Sequence, residues 1–136
     1  MTSQINVVGA IIIKDNKILC AQRGLERDLA YLWEFPGGKV EQNESPREAL
    51  ERELVEELEL KIIVSQNEFE TTSYLYPFGC VHLTTYLCYL ESDLEPVLKE
   101  HIAVRWLEAD ELLSLRWAPA DVPSVKKIIS QDSLEH

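Results

Sequence analysis

With 136 residues the chain fits one compact domain, large enough for a real core and too short for two. Its 46% hydrophobic and 27% charged residues exclude a disordered or fibrous chain. A formal net charge of -11 excludes a sequence-independent grip on DNA or RNA unless the basic groups are segregated on one face, whereas a small nucleotide that brings its own counter-ions is compatible with it.

The first predicted element is a β-hairpin. Ile5 to Ile13 is rich in β-branched residues, Asp15-Asn16 supplies turn chemistry, and Ile18 to Gln22 resumes an apolar strand. Gly24 to Tyr31 is polar and irregular. Trp33-Glu34-Phe35-Pro36-Gly37-Gly38 then reads as a short strand broken by proline and paired glycines, a break that lets backbone approach a ligand closely.

Ser45-Pro46-Arg47-Glu48 starts a helix with three agreeing signals: a Ser N-cap, proline at the first helical position, and glutamate three residues after the cap. The helix runs to about Leu58, and Leu50, Leu54 and Leu58 form a stripe for packing on a sheet. Lys61 to Tyr74 and Phe78 to Leu90 are predicted strands, the second alternating Val81, Leu83, Thr85, Leu87 and Tyr89 against Cys80, His82, Thr84 and Tyr86. A strand over His101 to Leu107, a short helix over Ala109 to Leu115 and a last helix from Val122 to Ile129 complete the order. This succession predicts an α/β or α+β domain, a mixed, curved sheet packed with helices, over residues 1–133. Leu134-Glu135-His136 reads as the start of a purification tag.

Cys20, Cys80 and Cys88 are odd in number and lack Cys-x-x-Cys spacing, so free thiols are expected in place of a disulfide framework or zinc site. With no signal-peptide pattern and no apolar span, a soluble cytoplasmic protein without a membrane partner is expected. Nothing in the sequence fixes an oligomeric state.

Chemistry concentrates between Gly38 and Leu60. On the predicted helix Glu53, Glu56 and Glu57 occupy an arc of about 100°, beside the leucine stripe and not opposite it. Like charges at these spacings destabilise a helix by roughly 0.2 to 0.5 kcal/mol per pair, and a place at the core edge makes each carboxylate harder to solvate. A hard divalent cation reverses that sign: Mg²⁺, with Mn²⁺ as a substitute, prefers carboxylate oxygen and accepts phosphate oxygens as further ligands. A solvated acidic helix face is the ordinary alternative. His82 and His101 form no spaced pair and are assigned structural roles.

Gly38, Glu44, Arg52, Glu53, Leu54, Glu56, Glu57 and Leu60 resemble the Nudix box, G-x5-E-x7-R-E-U-x-E-E-x-G-U with U a bulky aliphatic residue. The one departure is Glu59, where the family has glycine; in a left-handed conformation it would cost on the order of 1 kcal/mol. Trp33 to Gly38 looks like the strand that enters the box in MutT-type enzymes. Arg116 to Pro123 looks like the segment bordering the base pocket in bacterial CTP pyrophosphohydrolase and 8-oxo-dGTP diphosphatase relatives.

The resemblance implies the Nudix fold, an α/β/α sandwich, and a pyrophosphohydrolase acting on a nucleoside triphosphate, of the CTP or dCTP type or oxidised as in 8-oxo-dGTP. It implies metal binding by Glu53, Glu56 and Glu57 with the Gly38 carbonyl, and Glu100 as a further ligand or base. Arg23 and Lys39 match phosphate contacts, and Glu44 and Arg52 orient the loop and the glutamates. Glu53 is the first choice of general base, with Glu56 and Glu100 as alternatives. For the base, Glu34 and Asp121 match positions offering hydrogen-bond groups, where a protonated carboxyl could donate, and Tyr74, Phe78 and Trp117 could stack. Two other readings stay open: another nucleoside diphosphate linked to X, such as ADP-ribose, and a nucleotide-sensing module without turnover.

Overall fold

The computed structural model describes residues 2–131, so the tag-like residues 134–136 lie outside the described residues. Eight strands form one mixed sheet: β1 (Gln4–Lys14), β2 (Lys17–Gln22), β3 (Trp33–Glu34), β4 (Gly37–Lys39), β5 (Ile62–Val64), β6 (Glu70–Tyr76), β7 (Gly79–Leu90) and β8 (Ala103–Leu107). Two α-helices, α1 (Pro46–Leu58) and α2 (Val122–Ser130), cover it. Asp15 and Asn16 both take positive φ in the tight turn from β1 to β2, the mirror-image turn that matches strand twist.

β1 is the axis of the fold. It runs parallel to β7 from Gln4↔Cys80 to Ile12↔Cys88, a pairing that requires a long crossover, and the crossover carries α1. Side-chain alternation along β1 then feeds two cores. Val8, Ala10 and Ile12 pack with Leu50, Leu54 and Leu58 of α1, while Ile11 and Ile13 pack with Val125 and Ile128 of α2. The result is a helix–sheet–helix sandwich, and the leucine stripe read from the sequence is fully buried in it.

The sheet is split where the ligand-approaching segment was expected. β2 pairs with β1 only at Ile13↔Ile18 and Lys14↔Lys17, and further along it pairs with β3 on one side and β8 on the other. The chain then leaves β2 after Glu34 and joins β1 as β4, with Gly9↔Gly37, Val8↔Gly38 and Val7↔Lys39. A side chain at Gly37 would drive its Cβ to 1.9 Å from the Val8 carbonyl oxygen, so only glycine permits this approach.

Two expectations need correction. Lys61 to Tyr74 is not one strand: β5 and β6 both pair with β7, and the exposed polar run Gln66-Asn67-Glu68 interrupts them. The helix expected over Ala109 to Leu115 is a 3-10 helix, Ala109–Ser114, and a second short one spans Pro119–Asp121. The C-terminal half of β7 feeds both cores: Leu87 and Tyr89 join the α2-side core, and Tyr86 and Cys88 the α1-side core. No helix among the described residues is long and apolar enough to cross a membrane.

Candidate active site

The α1 helix is fixed at both ends. The Ser45 hydroxyl accepts the Glu48 N–H, the Glu48 carboxylate accepts the Ser45 N–H, and Pro46 occupies the first turn. At the other end Glu59 is left-handed, with φ 54° and ψ 39°, and the N–H groups of Glu59 and Leu60 reach back to Val55 and Leu54. The family's glycine conformation is thus kept with a glutamate in it. Its carboxylate lies 3.1 Å from Lys99 Nζ.

Helix geometry grades the three glutamates by depth. Glu57 is buried, Glu53 is half-buried and Glu56 is exposed, which corrects the expectation that all three sit equally at the core edge. Arg52 gathers the ring of carboxylates: it donates through Nε and Nη2 to both oxygens of Glu44, at 2.7 and 3.0 Å, and through Nη1 to Glu53 at 2.8 Å and Glu56 at 3.2 Å. Its Nη2 also donates to the Lys39 carbonyl at 3.1 Å, so one guanidinium ties the β4 end, the loop and the helix together. The Arg52 hydrogen bond and the Glu41 N–H hold the Glu44 carboxyl down at about 2.

Glu57 has no such partner. One carboxylate oxygen is buried with no hydrogen-bond partner among the described residues, and burial first, the charge of Glu53 second, raise its pKa. Gly38 forms the opposing wall, where an added Cβ would lie 2.4 Å from the Glu53 carboxyl carbon. A buried, unpartnered carboxylate oxygen beside a second carboxylate, under a wall kept bare of side chain, fits a divalent cation bound by oxygen. Glu108, Asp110 and Glu111 also bring carboxylate oxygens within 4.8 Å of one another, but all three are exposed and the Glu111 carboxylate is spent capping the Glu108 N–H.

Gly38, Glu53, Glu56 and Glu57 line a cleft of about 860 Å³. Arg23, Arg27, Lys39, Lys99 and Glu100 border it, Glu100 being exposed in the segment that leads into β8. Phe35, Tyr76, Phe78 and Asp121 line the same cleft. Asp121 Oδ2 accepts the Phe35 N–H at 3.0 Å, and burial first, the Glu34 charge second, push its carboxyl well above the usual carboxylate range. Glu34 behaves oppositely. Burial alone would raise it, but the His101 hydrogen bond and the Arg23 and Arg27 charges outweigh burial and hold it ionised, so the protonated-donor role fits Asp121 and not Glu34.

Two of the expected aromatics stand elsewhere. Tyr74 does not border the cleft; it packs at 4.7 Å on Tyr76, which does, and whose hydroxyl accepts the Ala120 N–H. Trp117 is a core residue, 4.8 Å from Phe35 with its indole N–H on the Leu112 carbonyl. The sequence reading missed Tyr76, Arg27 and the Glu34–His101 contact. Arg27, four residues after Arg23 in a polar loop of a strongly acidic chain, carried a usable signal; Tyr76 and His101 carried none without the fold. His82 bonds Ser73 and Gln4, a local polar contact outside the cleft.

Known proteins share this arrangement over nearly its whole length. The NUDIX domain model matches residues 4–128. The CTP pyrophosphohydrolase of Escherichia coli K12 is 38% identical over 130 residues, 93% of this chain and 92% of that protein. The 8-oxo-dGTP diphosphatase of the same organism is 32% identical over 123 residues, 89% and 92%. The solution structure of MutT, family Nudix hydrolase, from methicillin-resistant Staphylococcus aureus 252 is 53% identical, covers 96% of this chain and 98% of that one, and superposes with a TM-score of 0.77. With the box carried on a capped α1 and its glutamates turned into the cleft, the chain belongs to the Nudix hydrolase family, as a pyrophosphohydrolase.

Proposed function

We propose that the chain is a Mg²⁺-dependent nucleoside triphosphate pyrophosphohydrolase releasing nucleoside monophosphate and pyrophosphate, with CTP or dCTP, or an oxidised nucleotide such as 8-oxo-dGTP, as substrate. The observation that carries this reading is the buried oxygen of Glu57, unpartnered among the described residues, in a cleft that is also lined by Tyr76, Phe78 and Asp121, whose carboxyl burial raises well above the usual range. Such a lining offers carboxylates for a cation that meets phosphates, and aromatic and hydrogen-bonding groups for a base. The names of the two E. coli relatives, 38% and 32% identical, support the same substrate class.

Glu53, Glu56 and Glu57 with the Gly38 carbonyl would hold the cation, and Glu100 would add a ligand from the opposite segment. A divalent cation bound there supplies positive charge between carboxylates and phosphates and makes water a better nucleophile. The phosphates need it: a phosphate charge 4 Å from a carboxylate is repelled by about 4 kcal/mol at an effective dielectric of 20. Arg23 and Lys39 add cationic contacts to the phosphate chain. Arg52 binds one oxygen of Glu53 and so aims the other, and Glu53 takes the proton of the attacking water. The water oxygen bonds to the β-phosphorus, the bond from that phosphorus to the oxygen bridging to the α-phosphate breaks, and the monophosphate leaves with that oxygen. A protonated Asp121, already accepting the Phe35 N–H, offers its hydrogen to an acceptor on the base edge.

The test is pyrophosphate release from canonical and oxidised nucleoside triphosphates, and AMP release from ADP-ribose, with and without Mg²⁺ or Mn²⁺, for the wild type and Glu57→Gln. Metal-dependent release that falls by about 100-fold or more in the variant is expected, since even groups outside a coordination sphere are worth 10- to 100-fold. Turnover of ADP-ribose alone would overturn the triphosphate reading. Turnover of nothing by folded protein would overturn the catalytic one.

A further inference from the structure

We infer that His101 is a positioning residue for substrate binding, acting through Glu34 to hold Arg23 and Arg27 in place at the cleft. The inference rests on the reading of Arg23 as a phosphate contact.

The His101 side chain is fully buried, and its polar contact among the described residues is Nε2 to Glu34 Oε2 at 2.9 Å. The other ring nitrogen, Nδ1, is buried with no partner among the described residues. A leucine or phenylalanine would fill that space without leaving a polar atom unsatisfied, so packing alone does not account for an imidazole here. Glu34 is ionised and can only accept, hence Nε2 carries the hydrogen and donates it.

Glu34 in turn sits among cations. Its Oε1 accepts from Arg23 Nη1 at 2.7 Å, and its Oε2 lies 3.6 Å from Arg27 Nη1, beyond hydrogen-bond length. Arg23 also donates through Nε to the Asp28 carbonyl at 2.7 Å, which leaves Nη2 without a protein partner among the described residues. The division of labour on Glu34 matters. With Oε2 holding His101 and Oε1 holding Arg23, the carboxylate is turned so that neither arginine closes a two-bond fork on it, and forks of that kind are the strongest pairs guanidinium and carboxylate make. Remove the His101 donor and Glu34 is free to chelate a guanidinium fully, drawing donors away from the cleft. Arg23 directly follows β2, and β2 runs between β3, which ends in Glu34, and β8, which His101 precedes, so the three groups meet across one strand end.

The pair His101→Gln and His101→Asn tests this, because the glutamine amide nitrogen reaches about where Nε2 lies and the asparagine amide stops near Nδ1. The probe is inorganic triphosphate in Mg²⁺, titrated calorimetrically, which is blind to base preference. We expect binding within about threefold of wild type for Gln and about tenfold weaker for Asn, the loss of one charge-assisted hydrogen bond's influence on a neighbouring contact. For the best nucleotide substrate KM should rise by the same factor in His101→Asn, with kcat changed less than about threefold. Should His101→Asn fail to fold, Glu34→Gln reads the same link from the other side and is expected to weaken triphosphate binding comparably. Equal impairment by Gln and Asn, or normal binding by Asn or by Glu34→Gln, would overturn the inference. Arg23→Met separates the two readings: if it binds normally the phosphate assignment fails and the inference with it, whereas a weakened Arg23→Met beside a normal His101→Asn sinks the inference alone.

Discussion

Glu59 holds a left-handed backbone at a position where the family has glycine, and the two forces acting on it have opposite signs. A side chain with a Cβ in that conformation costs about 1 kcal/mol relative to glycine. Its contact with Lys99 is between two roughly half-exposed side chains, and exposed pairs contribute about 0 to 1 kcal/mol. The backbone term is the larger, so Glu59→Gly should stabilise the fold by a few tenths to about 1 kcal/mol and raise the thermal midpoint by a few degrees. Differential scanning calorimetry decides it. A lowered midpoint would mean that the Lys99 contact, which steadies the segment carrying Glu100, outweighs the strain. Sequence alone flagged the position but not its compensation, because Lys99 lies forty residues away in a run with no regular structure.

At the scale of elements, the link between the loop after β4 and α1 is the Glu44–Arg52 pair. Glu44 is held at about 2 against an ordinary 4.5, so its protonated form is disfavoured in the folded state. A lowered carboxyl contributes stability that is fully present above 4.5 and is lost as pH falls through about 2. Urea unfolding of wild type and Glu44→Gln across that window should therefore show a gap that is widest at its upper end and closes toward its lower end. A gap independent of pH would assign the effect to loop packing and not to the charge. α1 itself was legible in the sequence because its signals are local: Ser45, Pro46 and Glu48 at its start, leucines every fourth residue, glutamates beside them. What joins β3 to β8 was not. Glu34 and His101 are 67 positions apart and meet only because β2 pairs with both strands, and no propensity or period encodes that. Tyr76 was missed for the same reason: its role is defined by Ala120, reached across the cleft floor. The single strand expected from Lys61 to Tyr74 failed because β-branched residues at both ends masked a polar break whose ends both hydrogen-bond β7.

For the whole molecule, the three cysteines sample the sandwich from different sides. Cys20 lies in the core under α2, Cys88 in the core under α1, and Cys80 is half-buried at the start of β7. Burial pushes the Cys20 thiol up to about 12 and raises Cys88 as well, so neither offers thiolate near neutrality even if a reagent could enter. Reaction with an aromatic disulfide should consequently label Cys80 first in native protein, with Cys20 and Cys88 reacting only through opening. Because β1 contributes alternate side chains to both cores, neither layer can open without disturbing the strand that supports the other. The labelling rates of Cys20 and Cys88, followed by mass spectrometry in low urea, should then give one opening free energy equal to that of global unfolding. A markedly lower value for Cys88 alone would mean that the α1 layer, which carries the glutamates, opens as a separate unit, and that the active-site helix can detach while the α2 side of the sheet remains folded.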